Sequence, residues 1–299
     1  MTVVNFVQGD TRVYGLIGNP IAHTLSPLIH NSLNKILGNN AVYVPFEVFS
    51  QGLKAALEGA YELNIQGLNV TYPYKEAVIP HLIEMDAYGK QIGAVNTLKK
   101  SEGGYVGYNT DACGLLMSLK EEQIQIENHN ILIIGAGGAA KAAAMALSSQ
   151  KAKKIYIANR TEKRAEDLAK AVQQYYSLPI EVLPLSDIHL LNDVDICLQT
   201  TSLGMHPQEG QSPVNDDSFF NKITVAVDII YNPWESLFLK QAKKAGCKTV
   251  NGFGMLFYQA VKAYEIWIGQ EISKDKIASL YQSLKKKLKE NKDWKEGFS

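Results

Sequence analysis

The chain has 299 residues, 46% hydrophobic and 20% charged, enough apolar material to bury one or two ordinary cores. Lys plus Arg and Asp plus Glu each number 30, so the formal net charge is zero and nothing in it draws the chain to nucleic acid or an anionic membrane. Cys113, Cys197 and Cys247 lie far apart with no Cys-x-x-Cys pair, which fits a reducing compartment and neither a disulfide framework nor a zinc site.

The N-terminus lacks a basic-then-apolar signal pattern and no apolar run approaches a membrane span, so a soluble, cytoplasmic protein without a bound metal is expected. Residues 13–17 read as a strand. Ser26-Pro27 then predicts an N-cap followed by proline at the first helical position, and Gly38 stops that helix. Residues 42–48 predict a second strand, Ser50 caps a helix to about Leu63, and residues 65–70 form a third strand. This βαβαβ order implies a parallel sheet with helices on its faces.

A helical pattern beginning near residues 110–114 runs to about Gln123, and a second α/β pattern opens with "NILIIGAGGAA" at Asn130. Further strands are predicted near 154–158, 180–183, 194–199, 223–228 and 248–250, with helical segments between most of them. So many strands suit two domains better than one sheet, with a boundary near residues 110–114. The last two helices, 255–268 and 273–289, could by periodicity pack on either domain. The Lys-rich run from Lys285 reads as the solvated face of the last helix rather than a binding patch.

Gly135, Gly137, Gly138 and Ala139 stand in a G-x-G-x-x-A pattern between the apolar strand 131–134 and the Ala-rich helix 141–148. That context makes the motif a dinucleotide site: glycines admit a pyrophosphate close to the backbone, and free amides at the helix start favour its charge. An NAD site would place a carboxylate at the end of the next strand. This chain has Asn159, Arg160 and Thr161 there, with Arg164 one turn on. Two guanidinium groups suit a 2′-phosphate, so NADP is the expected cofactor.

"GNPIAHTLSPLIHN" sets Thr24 and Ser26 at a helix start beside His23. Hydroxyls and amides there make a site for a small carboxylate, though Ser26 alone reads equally as an N-cap and His23 as a structural hydrogen-bonder. Asn96 in "GAVNTL", and Asn109, Thr110 and Asp111 in "GYNTDA", are turn or cap residues when taken singly. Lys75, after "NVTYPY", is either a solvated lysine at a helix start or a group held for chemistry. Together they offer a cationic acid or base, a carboxylate and amide donors, a set suited to a polyhydroxylated substrate.

Eight motifs in order, "GNPIAHTLSPLIHN", "NVTYPYK", "GAVNTL", "YNTDA", "GAGGAA", "NRTEKR", "YNPWES" and "NGFGMLFYQA", resemble the shikimate dehydrogenase family from about Val13 to Gly269. The resemblance implies an α/β fold of two domains: a parallel-rich substrate domain of residues 1–111, completed by the C-terminal helices 255–299, and an inserted Rossmann-type NADP domain of residues 112–254. A cleft would separate them. The implied reaction is the reversible reduction of 3-dehydroshikimate to shikimate in aromatic amino-acid biosynthesis, by a monomer or homodimer whose partner is the small-molecule substrate.

By the same resemblance Lys75 and Asp111 match the catalytic pair, and Thr24 and Ser26 the carboxylate-binding hydroxyls. Thr71, Asn96 and Gln259 match contacts to the ring hydroxyls, and Tyr231 a tyrosine reaching the carboxylate. Gly252 and Met255 match positions bordering the nicotinamide, and residues 200–203, with Thr201 and Ser202, the cofactor loop.

Thr24 stands where the family usually has serine, adding a methyl near the ring carbon at which quinate differs from shikimate. A quinate/shikimate dehydrogenase, or a paralogue acting on a related cyclohexane carboxylate with NAD, is therefore the alternative. Tyr72 and Tyr74 replace smaller aliphatics or Phe, Ala112 a common glycine, and Ser236 a threonine. A non-catalytic dinucleotide sensor would be expected to lack Lys75 or Asp111, and both are present.

Overall fold

The computed structural model describes residues 7–22 and 24–290, so the expectations for His23 and for the end of segment 255–299 lie outside the described residues. In chain order the first elements are β1 (Arg12–Gly18), α1 (Ser26–Leu37), β2 (Ala41–Glu47), α2 (Leu53–Glu62) and β3 (Gly67–Val70). Next come β4 (Glu84–Met85), α3 (Ala87–Ile92), β5 (Thr97–Ser101), β6 (Gly104–Tyr108) and α4 (Asp111–Glu121). The later elements are β7 (Asn130–Ile134), α5 (Gly138–Ser149), β8 (Lys154–Asn159), α6 (Glu162–Gln173), β9 (Ile180–Pro184), β10 (Ile196–Gln199) and β11 (Val225–Asp228). The chain closes with α7 (Leu237–Lys244), β12 (Lys248–Val250), α8 (Phe253–Ile268) and α9 (Lys274–Glu290). Two compact units result: one from the chain up to Thr110 with Ala260–Leu284, the other from Asp111–Gln259 with the chain from Lys285.

The first unit holds a six-stranded sheet in the order β2-β1-β3-β5-β6-β4. The expected parallel βαβαβ arrangement covers β1, β2 and β3. Beyond them β5 runs antiparallel to both β3 and β6, so the sheet is mixed, and the hairpin β5–β6 is a feature the sequence reading missed. Its strands are short and carry Lys99, Lys100 and the ends Ser101 and Gly104, which masks their pattern; the Glu102-Gly103 turn between them, with Gly103 at φ +81°, was the available signal.

Helix α1 starts one residue earlier than the capping pattern suggested. Leu25 occupies the N-cap position without a side-chain cap, Ser26 is the first helical residue, and Gly38 closes the helix at φ 68° as expected. Ser50 likewise caps nothing; it opens a short 3₁₀ turn, Ser50–Gly52, ahead of α2.

The centre of this unit is aromatic. Trp267 stacks on Tyr14 with ring centroids 4.8 Å apart, and its indole N–H donates to Leu98 O at 2.8 Å. The indole reaches that carbonyl because β3 presents Gly67, where a Cβ would lie 2.3 Å from Trp267 Nε1. The second unit is a six-stranded sheet, β12-β11-β10-β7-β8-β9, with every pairing parallel. Read from its first strand outward, this is the doubly wound dinucleotide-binding order, with the switch point between β7 and β10. Every residue of β7 is buried, as a strand covered on both faces requires.

Gly67→Ala is expected to push Trp267 off Leu98 and destabilise the protein by about 1–3 kcal/mol, the usual cost of overpacking. A urea unfolding midpoint unchanged from wild type would count against this packing.

Candidate active site

In the first unit the proposed substrate residues gather where parallel strands end. β1, β2 and β3 stop side by side, with Gly18 opposite Glu47 and Ile17 opposite Val70. The ladder continues one step further: Thr71 N–H donates to Ile17 O at 3.0 Å, Val48 N–H to Gly18 O at 3.2 Å, and Asn19 N–H to Tyr72 O at 3.0 Å. Thr71 is thereby fixed beside the end of β1, half-buried. Four residues on, Lys75 is also half-buried, and its carbonyl accepts Val95 N–H at 2.8 Å. Lys75 is thus stitched to the segment that carries Asn96, and does not stand on a free helix start.

The two tyrosines of this segment behave differently. Tyr74 is buried and donates its hydroxyl to Val48 O at 2.5 Å, so it belongs to the core; Tyr72 is 74% exposed. At the start of α1 the Thr24 hydroxyl donates to Ser26 Oγ at 3.2 Å and accepts Ser26 N–H at 3.3 Å, pairing the two hydroxyls of the proposed carboxylate site.

Asn96 is buried, and both ends of its amide are engaged. Its Nδ2 donates to Thr110 Oγ1 at 2.9 Å, while Oδ1 accepts Thr110 N–H at 2.7 Å and the Thr97 hydroxyl at 3.1 Å. Beneath it runs a buried polar chain that sequence reasoning missed. Tyr43 donates its hydroxyl to Asn69 Oδ1 at 2.8 Å, and Asn69 Nδ2 donates at 3.2 Å both to Thr97 Oγ1 and to Asn96 O. Burial raises the Tyr43 pKa well above its ordinary range and pushes that of His30, stacked on Tyr43 at 4.2 Å, down to about 3. Both rings are therefore neutral at pH 7. The available signal was a polar residue inside a strand buried at every position, Asn69 in β3.

In the second unit the glycine motif turns from β7 into α5. Gly135 sits at φ +117°, and a Cβ there would lie 2.4 Å from Thr200 Oγ1, whose hydroxyl donates to Ile134 O at 2.7 Å. Gly137 is exposed at the N-cap of α5, with nothing within 4 Å of where a Cβ would be. The first amides of the helix, from Gly138 and Ala139 on, therefore face open space that suits a pyrophosphate. The neighbouring strand ends in Asn159, whose Nδ2 donates to Thr161 O at 2.8 Å. Arg160 and Arg164 are exposed and form no ion pair among the described residues, whereas Lys163 is engaged by Glu166 at 3.6 Å and Asp167 at 3.0 Å. Two uncommitted guanidinium groups beside this turn fit the 2′-phosphate of NADP.

Thr201 and Ser202 follow β10 in a loop organised by a residue the sequence reading passed over. Gln199 is fully buried; its Nε2 donates to Thr201 O at 3.2 Å and Leu203 O at 3.0 Å, and its Oε1 accepts Thr201 N–H. Asp111, the first residue of α4, is 5% exposed. Gly114, one turn on, lets α8 close in: a Cβ there would lie 2.6 Å from Met255 O and 2.7 Å from Gln259 Cβ. Met255 and Gln259 are both buried, Gly252 lies against Ile229, and Tyr231 is half-buried in the segment after β11. Among the described residues no cluster of His, Cys, Asp and Glu could hold a metal, and no helix is long and apolar enough to cross a membrane.

Known proteins resemble this chain over most of its length. The chain is 42% identical over 269 residues to the shikimate dehydrogenase (NADP(+)) of Caldanaerobacter subterraneus subsp. tengcongensis, covering 90% of this chain and 96% of that one. The chain belongs to the shikimate dehydrogenase family. The enzyme of the same name from Carboxydothermus hydrogenoformans is 45% identical, with 88% of this chain and 94% of that one covered. A crystal structure of shikimate dehydrogenase in complex with NADP+ matches with a TM-score of 0.85 at 40% identity, over 93% of this chain and 97% of that one. The family model for the shikimate dehydrogenase substrate binding domain matches residues 16–98, a span holding Thr24, Ser26, Thr71, Lys75 and Asn96. The model for shikimate / quinate 5-dehydrogenase matches residues 118–229 and holds the glycine turn, the arginine pair and Gln199.

Asn69→Leu removes one acceptor and two donated hydrogen bonds from the buried chain under Asn96. A loss of roughly 1–3 kcal/mol in unfolding free energy is expected, the cost of stranding a buried polar group. Unfolding at the wild-type denaturant midpoint would show that this network is dispensable.

Proposed function

We propose that this chain is a cytoplasmic enzyme catalysing the reversible, NADP-dependent reduction of 3-dehydroshikimate to shikimate. The observation that carries the reading is the family membership over about nine-tenths of the chain, with Lys75 and Asp111 both present and neither fully exposed. Bound NADPH supplies the hydride that reduces the carbonyl carbon. The Lys75 ammonium polarises the ketone oxygen and delivers its proton; in the reverse direction the amine takes the proton back. Asp111, the other member of the pair, supplies the carboxylate that orients the ammonium.

Thr24 and Ser26 hold the substrate carboxylate through hydroxyls already paired with each other. Tyr231 adds a further contact to that carboxylate. Thr71, Asn96 and Gln259 orient the ring hydroxyls, and the anchoring of Asn96 on Thr110 means little reorganisation on binding. Gly135, Gly137, Gly138 and Ala139 receive the pyrophosphate, and Asn159, Arg160, Thr161 and Arg164 receive the 2′-phosphate. Thr201, Ser202, Gly252 and Met255 border the rest of the cofactor.

Lys75→Ala is expected to lower turnover by a factor on the order of 100 to 10,000 with the shikimate KM little changed. Near-normal turnover in the purified variant rejects the assignment. Arg160→Ala combined with Arg164→Ala is expected to raise the KM for NADP roughly 10- to 100-fold, the worth of a charge-assisted hydrogen bond, while leaving weak NAD use unaltered. A parallel loss with both cofactors would place the arginines elsewhere. A spectrophotometric assay crossing shikimate and quinate with NADP and NAD tests the whole reading. Absence of activity with shikimate and NADP overturns it, and faster turnover of quinate with NAD replaces it by the quinate alternative.

A further inference from the structure

Beside the residues already given roles, the second unit contains a carboxylate with no task. Asp228, the last residue of β11, is completely buried, and among the described residues no cation pairs with it. Its Oδ1 accepts Ile230 N–H at 2.9 Å and its Oδ2 accepts the Ser236 hydroxyl at 2.5 Å. Burial pushes its pKa up to about 7, against the opposing pull of those two hydrogen bonds. A carboxylate in such a position adds little to stability, since desolvation offsets what its partners return. Its effect is geometric.

The two bonds grip residues 230 and 236 of one segment, and Tyr231 follows directly after the first of them. Other contacts confine the same stretch. Ile229 N–H donates to Gln199 O at 3.1 Å, Gly252 N–H to Ile230 O at 2.9 Å, and Asn251 Nδ2 to Trp234 O at 3.0 Å. Gly252 lies so close that a Cβ there would fall 1.8 Å from Ile229 O. Ser236 passes the restraint on, because its hydroxyl donates to Asp228 while accepting Leu239 N–H at 3.3 Å as the N-cap of α7. The segment is therefore closed into a loop by one side chain, between β11 and the helix that follows it.

We propose that Asp228 is a positioning residue for catalysis: with Ser236 it sets the loop that presents Tyr231 to the substrate carboxylate. This rests on the role given to Tyr231 above. Ser236, which departs from the family's usual threonine, keeps the one atom the clamp needs, its hydroxyl. Asp228→Asn retains the shape but replaces an acceptor with a donor, so one of the two bonds is lost.

The test is a kinetic double-mutant cycle with Asp228→Asn and Tyr231→Phe, following the KM for shikimate, the KM for NADP, kcat and thermal stability. Asp228→Asn is expected to raise the shikimate KM about tenfold, the worth of one lost hydrogen bond to a charged group, with kcat and the NADP KM changing much less. In the Tyr231→Phe background the same substitution is expected to add almost nothing. Equal effects in both backgrounds, or a lower Tm with an unchanged shikimate KM, would overturn the proposal. So would a Tyr231→Phe variant whose KM matches wild type. Should Asp228→Asn not fold, Ser236→Ala takes its place in the cycle and Ser236→Thr is the rescue, expected to behave as wild type; failure of that rescue also rejects the clamp. Wild-type activity with shikimate and NADP is the control. Its absence rejects the parent function, whereas its presence with an unaltered Asp228→Asn KM rejects this inference alone.

Discussion

Parallel strands run out of hydrogen-bonding partners at their carboxyl ends, and both units hang the loops that carry the proposed site residues on that constraint. A strand that ends leaves backbone groups that a neighbouring loop can take up, so loops leaving the carboxyl ends are held by the same ladder as the strands. In the first unit Ile17 O takes Thr71 N–H and Gly18 O takes Val48 N–H. In the second, Ile134 O takes Thr200 N–H at 2.9 Å and Gln199 O takes Ile229 N–H at 3.1 Å. Position, in each case, comes from the sheet before any side chain acts.

Side chains then refine what the ladder begins, and in both units they are buried and polar. Asn69 and Thr97 tie Asn96 to the floor of the first sheet, Gln199 folds the loop of Thr201 and Ser202, and Asp228 closes the segment of Tyr231. None of these three supporting groups, Asn69, Gln199 or Asp228, is more than 4% exposed. Satisfied polar groups in a dry interior are demanding of geometry, because a displaced partner strands a donor or acceptor. This makes them better positioners than apolar packing, which tolerates small shifts.

How much of this was legible in the sequence follows from the same division. The glycine turn and the arginine pair could be read because each motif is local: strand, turn and helix start lie within a dozen or so residues. Strand β12 was placed to the residue, at Lys248–Val250, and β8 fell one residue short because Asn159 at its end is polar. The hairpin β5–β6 escaped because β5 carries Lys99 and Lys100 and β6 has Gly104 and Gly107 among its five residues, so neither strand reads as a run of strand-forming residues. Tyr43, Asn69 and Thr97 escaped for a different reason. Their partners are 28 and 26 residues away in sequence, and periodicity holds no record of a contact across strands.

The departures from the family pattern sort themselves by what each atom touches. Tyr74 fills a core position, and its hydroxyl meets Val48 O, so the larger ring costs no unsatisfied donor. Tyr72, beside it, projects into solvent, where its size meets no neighbour to displace. Ser236 gives up a methyl and keeps a hydroxyl that both donates and accepts. At Thr24 the hydroxyl is likewise retained and committed to Ser26, so its rotation is fixed and the added methyl must point in a determined direction. Of these substitutions, only Thr24 falls on a residue to which the proposed function gives a contact with the substrate carboxylate.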